Sequence, residues 1–397
     1  MTKRKPTVVY VAHDAGGSGG MELHLDELLS RLGGECEVIV VACSMKVRAP
    51  DGIRFIRIPV IRRPAPLKTA LFAVLASLRI ALLRRDLLHT TGAIVFNRAD
   101  VSTVHFCHAG YRRAAGQTRT RGQGLWRSLN SRLAAGLARW LERRIYRPRR
   151  TRQLVAVSRR VRQEVLEAYP YGEREVTVIP NGVDLTRFRP CESAEKRRLR
   201  RRFGLPEAGV LLLFMGGDWP RKGLDLVVQA FAGLAGDYKQ AQLVVVGRGD
   251  ERAYTAALPG ATAARIHFAG HQPEPEAWLG LSDVFVFPSS YETFSLVVHE
   301  AAAAQLAIVA TRVGGVEDLI RDGEDGLYIE RSAQSIERAL RRLLDDPALR
   351  RRLGESAGAR VAALTWERAH ASMTGLYDEL LAARQPERGR GVEPFHP

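Results

Sequence analysis

Two carboxylates, Glu292 and Glu300, stand with seven residues between them in the stretch 284–304, VFVFPSSYETFSLVVHEAAAA. Ionised carboxylates accept hydrogen bonds at both oxygens, so the pair suits a ligand that carries several hydroxyls. The apolar run 284–287, the turn residues 288–291 and the helical pattern 295–304 predict strand, loop and helix, with Glu292 in the loop and Glu300 in the second helical turn. A helix starting near Phe294 directs the free amides of Phe294, Ser295, Leu296 and Val297 out of its N-terminus, where they and the helix dipole favour an anion. Hydroxyls beside phosphates describe a nucleotide sugar. The competing reading is an ordinary buried strand and helix, with Glu292 solvated and Glu300 a surface charge.

His105 and His108, in VHFCHAG, fall where a strand ends. A histidine there can polarise or hydrogen-bond a substrate at neutral pH, while His105 is equally readable as a satisfied structural histidine. The turn HDAGGSGG at 13–20, which includes Gly19 and Gly20, leads from a strand at 8–11 into a helix at 21–32. Its glycines let backbone approach a phosphate or a sugar acceptor closely. The turn lacks GxGxxG spacing, and no ribose-binding acid follows at the usual distance, which counts against a dinucleotide enzyme.

The elements that must carry these residues alternate. Strands are expected at 37–42, 54–58, 93–96, 102–107, 154–158 and 176–179, with helices at 67–83 and after 158. A highly charged run, ESAEKRRLRRRF, then precedes a fresh series with strands at 210–215, 242–246 and 266–268 and helices at 224–235, 275–281, 333–344 and 366–383. Such βαβ rhythm predicts an α/β fold with mostly parallel sheets, and ligands at the C-terminal strand ends. With 397 residues and 46% hydrophobic content, two domains are expected. The four cysteines, Cys36, Cys43, Cys107 and Cys191, show neither disulfide-framework nor zinc-ligand spacing. Nothing resembles a signal peptide, and the longest apolar run, 70–78, is far below the roughly 20 residues that span a bilayer. These features predict a cytoplasmic protein.

The net charge of +17 is concentrated: residues 110–160 hold 15 arginines, no lysine and one acid, Glu142. This field attracts either nucleic acid or a membrane with acidic lipids. No DNA- or RNA-reading motif is present, so no nucleic-acid partner is expected. Leu125, Leu129, Leu133, Leu137, Leu141 and Ile145 recur every four residues beside Trp126 and Trp140, with Arg143, Arg144 and Arg147 among the flanking cations. The pattern predicts an interfacial helix docked on the inner face of the cytoplasmic membrane; the alternative is a helix packed on the N-terminal sheet.

Taken together, GGMELH at 19–24, VIPNGVDLTRF at 178–188, RKG at 221–223, VVGRGDE at 245–251, ETFSLVVHE at 292–300 and VGGVEDLI at 313–320 resemble the retaining glycosyltransferases of family 4. Within that family the RKG variant and the basic segment are most similar to the lipopolysaccharide core heptose glucosyltransferases. The resemblance implies the GT-B fold, with two Rossmann-like doubly wound domains facing a cleft. It implies an N-terminal acceptor domain over 1–187, joined by a returning helix at 366–384, and a donor domain over 188–365, with 385–397 a disordered tail.

The resemblance also assigns roles. Lys222, with Arg221 adjacent, binds the donor diphosphate; Glu292 takes the donor sugar hydroxyls and Glu300 the ribose; Phe294, Ser295 and Leu296 supply backbone amides. His108, and less securely His105, stand beside the reacting sugar, and Gly19 and Gly20 lie near the diphosphate and acceptor. The expected activity is metal-independent transfer of a hexose, with retention, from a nucleotide sugar, a UDP-sugar favoured, to a membrane-associated glycan or lipid acceptor in cell-envelope synthesis, with no cofactor. Alternatives are another GT-B enzyme, such as a sugar epimerase or a small-molecule glycosyltransferase, and, distantly, a basic nucleic-acid binder. The sequence departs from the family pattern at Gly217, where an arginine is usual, at Ser295 in place of glycine, and at His299 and Gln305, where small or apolar residues are usual. The departures bear on the donor rather than the fold.

Overall fold

Runs such as TVVYV, LLLFM and QLVVV, apolar on both pleat faces, form fully buried strands in this computed structural model, which describes residues 4–16, 20–32, 34–46, 52–61, 63–115 and 125–384. Gly19 and the tail 385–397 lie outside the described residues, as does the side chain of Trp126; Gly20 is described only as the first residue of a helix.

Parallel pairing builds two large sheets and one two-residue ribbon, Asp14–Ala15 beside Ser44–Met45. In the first, β1 (Thr7–Val11), β2 (Glu37–Ala42), β3 (Ile53–Arg57), β4 (Leu87–Thr91), β5 (Ala99–Val104), β6 (Thr151–Ala156) and β7 (Val176–Val178) lie in the order β3-β2-β1-β4-β5-β6-β7. In the second, β8 (Leu211–Met215), β9 (Gln242–Val246), β10 (Ile266–Gly270), β11 (Val284–Phe287), β12 (Ala307–Ala310) and β13 (Leu327–Tyr328) lie in the order β10-β9-β8-β11-β12-β13. Each order reverses once, beside β1 and β4 and beside β8 and β11. Loops leaving the strands at such a switch point diverge and open a crevice for ligand. Both sheets are therefore Rossmann-like and doubly wound.

The helices that flank the candidate sites are α1 (Gly20–Leu32), α2 (Ala65–Ala81), α3 (His108–Ala115), α4 (Leu125–Ile145), α5 (Leu296–Ala303) and α6 (Trp366–Ala382). The described residues 4–111, 125–182 and 366–384 form one compact unit; 183–365, with 112–115, form the other. The last helix thus belongs with the first sheet. Its Met373, Leu376, Tyr377 and Leu380 are buried with Val8, Tyr10, Leu25 and Leu29, and the Tyr377 hydroxyl meets His89 Nδ1.

Several elements differ from the sequence reading. The strand expected at 93–96 is loop, and the strand of that region is β4. His89 hides β4 from a hydrophobicity pattern because it is fully buried yet polar, satisfied by Tyr377 and by Thr103 Oγ1 at 2.7 Å. Ala93, Ile94 and Val95 are buried without entering a ladder, so apolar content there reports burial alone. The strand expected at 102–107 begins earlier, as β5, which frees His105 to leave the sheet. β12 and the helices Ser193–Arg202 and Pro347–Val361 have no counterpart in the sequence reading. AIVA of β12 follows an alanine-rich helix with only Gln305, at φ 58°, as punctuation, and Ser193–Arg202 is too charged to show an apolar face.

Candidate active site

The second unit's switch point carries the RKG and ETFS motifs on neighbouring loops. After β8 the chain turns through Gly216 and Asp218, both at positive φ, into the one-turn helix Trp219–Lys222. A Cβ on Gly216 would strike the Lys222 side chain 2.8 Å away, so glycine lets that lysine lie back across the strand end. The loop after β11 presents Glu292 to it. Lys222 Nζ sits 3.3 Å from Glu292 Oε1 and 4.5 Å over the Phe287 ring. Arg221 Nη1 donates to the same oxygen at 2.8 Å, and its Nε to Asp218 Oδ2 at 2.9 Å. Ser289 Oγ donates to Glu292 at 2.9 Å. Glu292 is neither solvated nor free to serve hydroxyls alone: it clamps the cation pair. Burial pulls its carboxyl up, but Lys222 and then Arg221 outweigh burial and hold it below its ordinary value.

Helix α5 starts at Leu296 rather than Phe294, because Ser295 takes a left-handed conformation at φ 63°. That backbone favours glycine, the residue the sequence lacks here, and costs a serine on the order of 1 kcal/mol or more. His299 explains how it is held. Its buried ring stacks on Phe294 at 4.1 Å and 12° and its Nδ1 lies 3.1 Å from the Ser295 carbonyl. Burial lowers His299 to about 4, so the ring is neutral and Nδ1–H is the donor. On the far side, a Cβ on Gly314 or Gly315 would collide with the carbonyls of Glu292 and Phe294. The loop from Glu292 to Ser295 is therefore pinned from both sides, with the amides of Leu296 and Val297 in the first turn of α5.

Glu300, in the second turn, is raised from 4.5 to about 7 by burial, opposed by Arg187 and reinforced by Glu276. An acid with a raised folded pKa holds its proton more tightly when folded. Its contribution to stability is complete below 4.5 and is lost as pH rises through about 7. Glu300→Gln, which cannot ionise, is expected to be more stable than the parent at pH 8.5 by on the order of 2 kcal/mol. The two should converge as pH falls toward 4.5. Parallel thermal melts across that range test this, and coincident melts at every pH would remove the Glu300 carboxylate from the account.

In the first unit the two strand-end histidines part. His108 opens α3 and its Nδ1 lies 2.7 Å from Glu142 Oε1 on α4. His105 stacks edge-on against His24 at 4.6 Å, its Nε2 buried without a partner, and burial holds it well below its ordinary pKa. Beyond β1, Asp14 Oδ2 accepts from Lys68 Nζ at 2.8 Å and Oδ1 from Ser44 at 2.6 Å, at the edge of a cavity of about 310 Å³ lined also by Arg57, Phe55 and Met45. Lys68 carries no motif and escapes sequence reading, whereas Asp14 lies inside the turn at 13–20, where the glycines rather than the carboxylate draw the reading. Glu142 had a signal, being the one acid among 15 arginines.

Residues 18–187 match the family described as Glycosyltransferase Family 4, and residues 195–360 match Glycosyl transferases group 1. The chain is a glycosyltransferase of the GT-B fold. Among curated relatives, this glycosyltransferase is 28% identical over 411 residues to the D-inositol 3-phosphate glycosyltransferase of Xylanimonas cellulosilytica, covering 94% of each chain. It is 32% identical over 237 residues to that of Acidothermus cellulolyticus, covering 56% of this chain and about half, 52%, of the relative. Among solved structures it is similar to WaaG, a glycosyltransferase involved in lipopolysaccharide biosynthesis, with TM-score 0.74 and 21% identity over 93% of this chain and 100% of that one. Anabaena HepE, solved in complex with UDP and glucose, gives TM-score 0.69 and 16% identity, covering 94% and 99%. The resemblance to the family stands. The finer likeness to lipopolysaccharide enzymes rests on structure alone, while these curated sequence relatives are D-inositol 3-phosphate glycosyltransferases.

Proposed function

We propose that this glycosyltransferase moves a hexose, with retention and without a metal, from a UDP-sugar to an acceptor held at a membrane surface. The observation that carries the donor half is the Arg221 and Lys222 pair fixed on partly buried Glu292 beside the first turn of α5. Loss of a nucleoside diphosphate builds negative charge, which fixed cations and helix amides stabilise without reorganising. Glu300 is assigned to the ribose, and Glu292, with its remaining oxygen, to the donor sugar. Calorimetry against UDP-, GDP- and ADP-sugars tests this, with UDP-sugars expected to bind most tightly. Transfer is expected to continue in EDTA; loss on chelation, restored by magnesium or manganese, would contradict the cationic site.

The membrane half is supported by an apolar surface that sequence reading placed only in part. A stripe repeating every four residues turns about 40° per step on a helix of about 3.6 residues per turn, so its ends face opposite ways. Leu141 and Ile145 accordingly are core, whereas Leu133 and Trp140 are 56% and 50% exposed. Beside α4 packs α2, whose Leu67, Val74, Leu75 and Leu78, with Leu82 just beyond, are exposed at helical spacing. No acid occurs between residues 61 and 85, while Arg143 and Arg144 on α4 and Arg147 just beyond it are exposed. Exposed apolar residues on one helix and exposed arginines on its neighbour suit acidic lipid, where each cation adds about 1 kcal/mol. Among the described residues, no helix is long and apolar enough to cross a membrane. Co-sedimentation with vesicles is expected with acidic lipids and to fall with salt. It should be lost in Leu78→Glu/Leu82→Glu and in the variant with Arg143, Arg144, Arg147, Arg149 and Arg150 changed to Gln; equal binding to neutral vesicles would refute it.

A second acceptor reading, a small phosphorylated polyol, is favoured by the relatives' activity and by the cavity at Lys68 and Arg57. Assays with inositol 3-phosphate against lipid-linked acceptors separate the two.

A further inference from the structure

We propose that Glu142 is a positioning residue for His108, fixing its tautomer and ring orientation so that the Nε2 lone pair is presented to a substrate hydroxyl. The proposal rests on the reading of His108 as a residue beside the reacting sugar.

Three contacts define the carboxylate. Oε1 lies 2.7 Å from His108 Nδ1 and also accepts the His108 backbone N–H at 3.2 Å; Oε2 accepts from the Tyr169 hydroxyl. An ionised carboxylate has no proton to give, so the imidazole must carry its proton on Nδ1 and leave Nε2 free to accept. Glu142 is 3% exposed and the His108 side chain 32%, so the carboxylate is buried while the ring keeps an open edge. The Phe106 ring meets His108 edge-on at 4.8 Å, which fixes the ring plane from another direction.

A purely structural role fits this arrangement poorly. Glu142 stands in an arginine-rich segment, yet its ion pair is with a half-exposed histidine 34 residues away, and a tyrosine takes its second oxygen. A buried carboxylate is costly unless its partners are strong. Here those partners aim one side chain outward. When His108 takes a hydrogen bond or a proton at Nε2, Glu142 stabilises the charge that develops, as outer-shell carboxylates do for other functional histidines.

The test combines a spectroscopic and a kinetic readout on the full chain. Nitrogen-15 NMR of the histidine rings is expected to show His108 protonated on Nδ1 and bare on Nε2 in the parent, with the two tautomers mixed in Glu142→Gln. A parent ring protonated on Nε2 alone overturns the proposal without any assay. With UDP-glucose as the probe, Glu142→Gln is expected to lower the turnover of donor hydrolysis about 10- to 100-fold, leaving UDP affinity within about twofold. The double variant His108→Asn/Glu142→Gln should be no slower than His108→Asn alone, because residues acting as a unit are non-additive. Tyr169→Phe, which keeps the carboxylate and its histidine bond, should lower turnover less. It carries the same cycle with His108→Asn if Glu142→Gln fails to fold. Parental turnover in Glu142→Gln with loss in His108→Asn, or multiplicative losses in the double variant, sinks the positioning role and leaves His108 in place. Parental turnover in His108→Asn instead overturns the reading of His108 itself.

Discussion

Replacing Lys222 with alanine is expected to lower transfer by about three orders of magnitude and to weaken UDP binding about 10- to 100-fold, with the fold intact. The side chain is 12% exposed, is held 3.3 Å from Glu292 and lies over Phe287, so it reaches the diphosphate position with little conformational freedom left to lose. Removing it leaves Glu292 paired with Arg221, which protects the core from an unpaired carboxylate. Lys222→Arg is expected to rescue poorly, because a planar fork cannot occupy the narrow lane across Gly216 that a slim ammonium stem fills. Initial rates with calorimetric titration of UDP provide the measurement. A Lys222→Ala protein that transfers at the parental rate would falsify the donor site as drawn.

Glu292→Gln is expected to produce a loss of similar size by a different route. The amide keeps the shape but gives up the charge that holds two cations together, and Arg221 and Lys222 are left partly buried with no anion between them. Stability at pH 7 should fall by roughly 2–4 kcal/mol. The sign with pH follows from the direction of the shift: a carboxyl held below its ordinary value contributes stability above about 4.5 and loses it as pH falls through the folded value. The difference between parent and variant melts should therefore shrink in acid. Turnover should drop about 100- to 1,000-fold, whereas UDP alone should bind at least as well, since its phosphates take the cations that Glu292 has released. Weakened UDP binding with unchanged turnover would reverse the assignments of Glu292 and Lys222.

Local reading succeeded where the physics is local. The strand to loop to helix course of 284–304 and the parallel α/β rhythm both follow from periodicity and turn chemistry. It failed at β4, where one buried histidine breaks the apolar pattern, and on α4, where a stripe was read along a helix without its rotation. Ser295 shows the same limit at one residue. A serine where glycine is usual looks like a defect in sequence, and only the His299 ring stacked on Phe294 and bonded to the Ser295 carbonyl shows how the strained turn is kept.

By itself the sequence determined the two-sheet fold and the strand-end segments that carry Lys222, Glu292 and Glu300, the last of them on α5. Hydrophobic periodicity and turn chemistry act over a few residues and so are written in order along the chain. Only the tertiary structure decided which charges meet. Arg221 reaches Glu292 across 71 residues because burial of both sheet faces places β8 beside β11, and Glu142 reaches His108 across 34 because α4 turns that one side inward. Such pairings are set by strand order and helix rotation together, and each gives a carboxylate drawn out of water the cation or donor it needs.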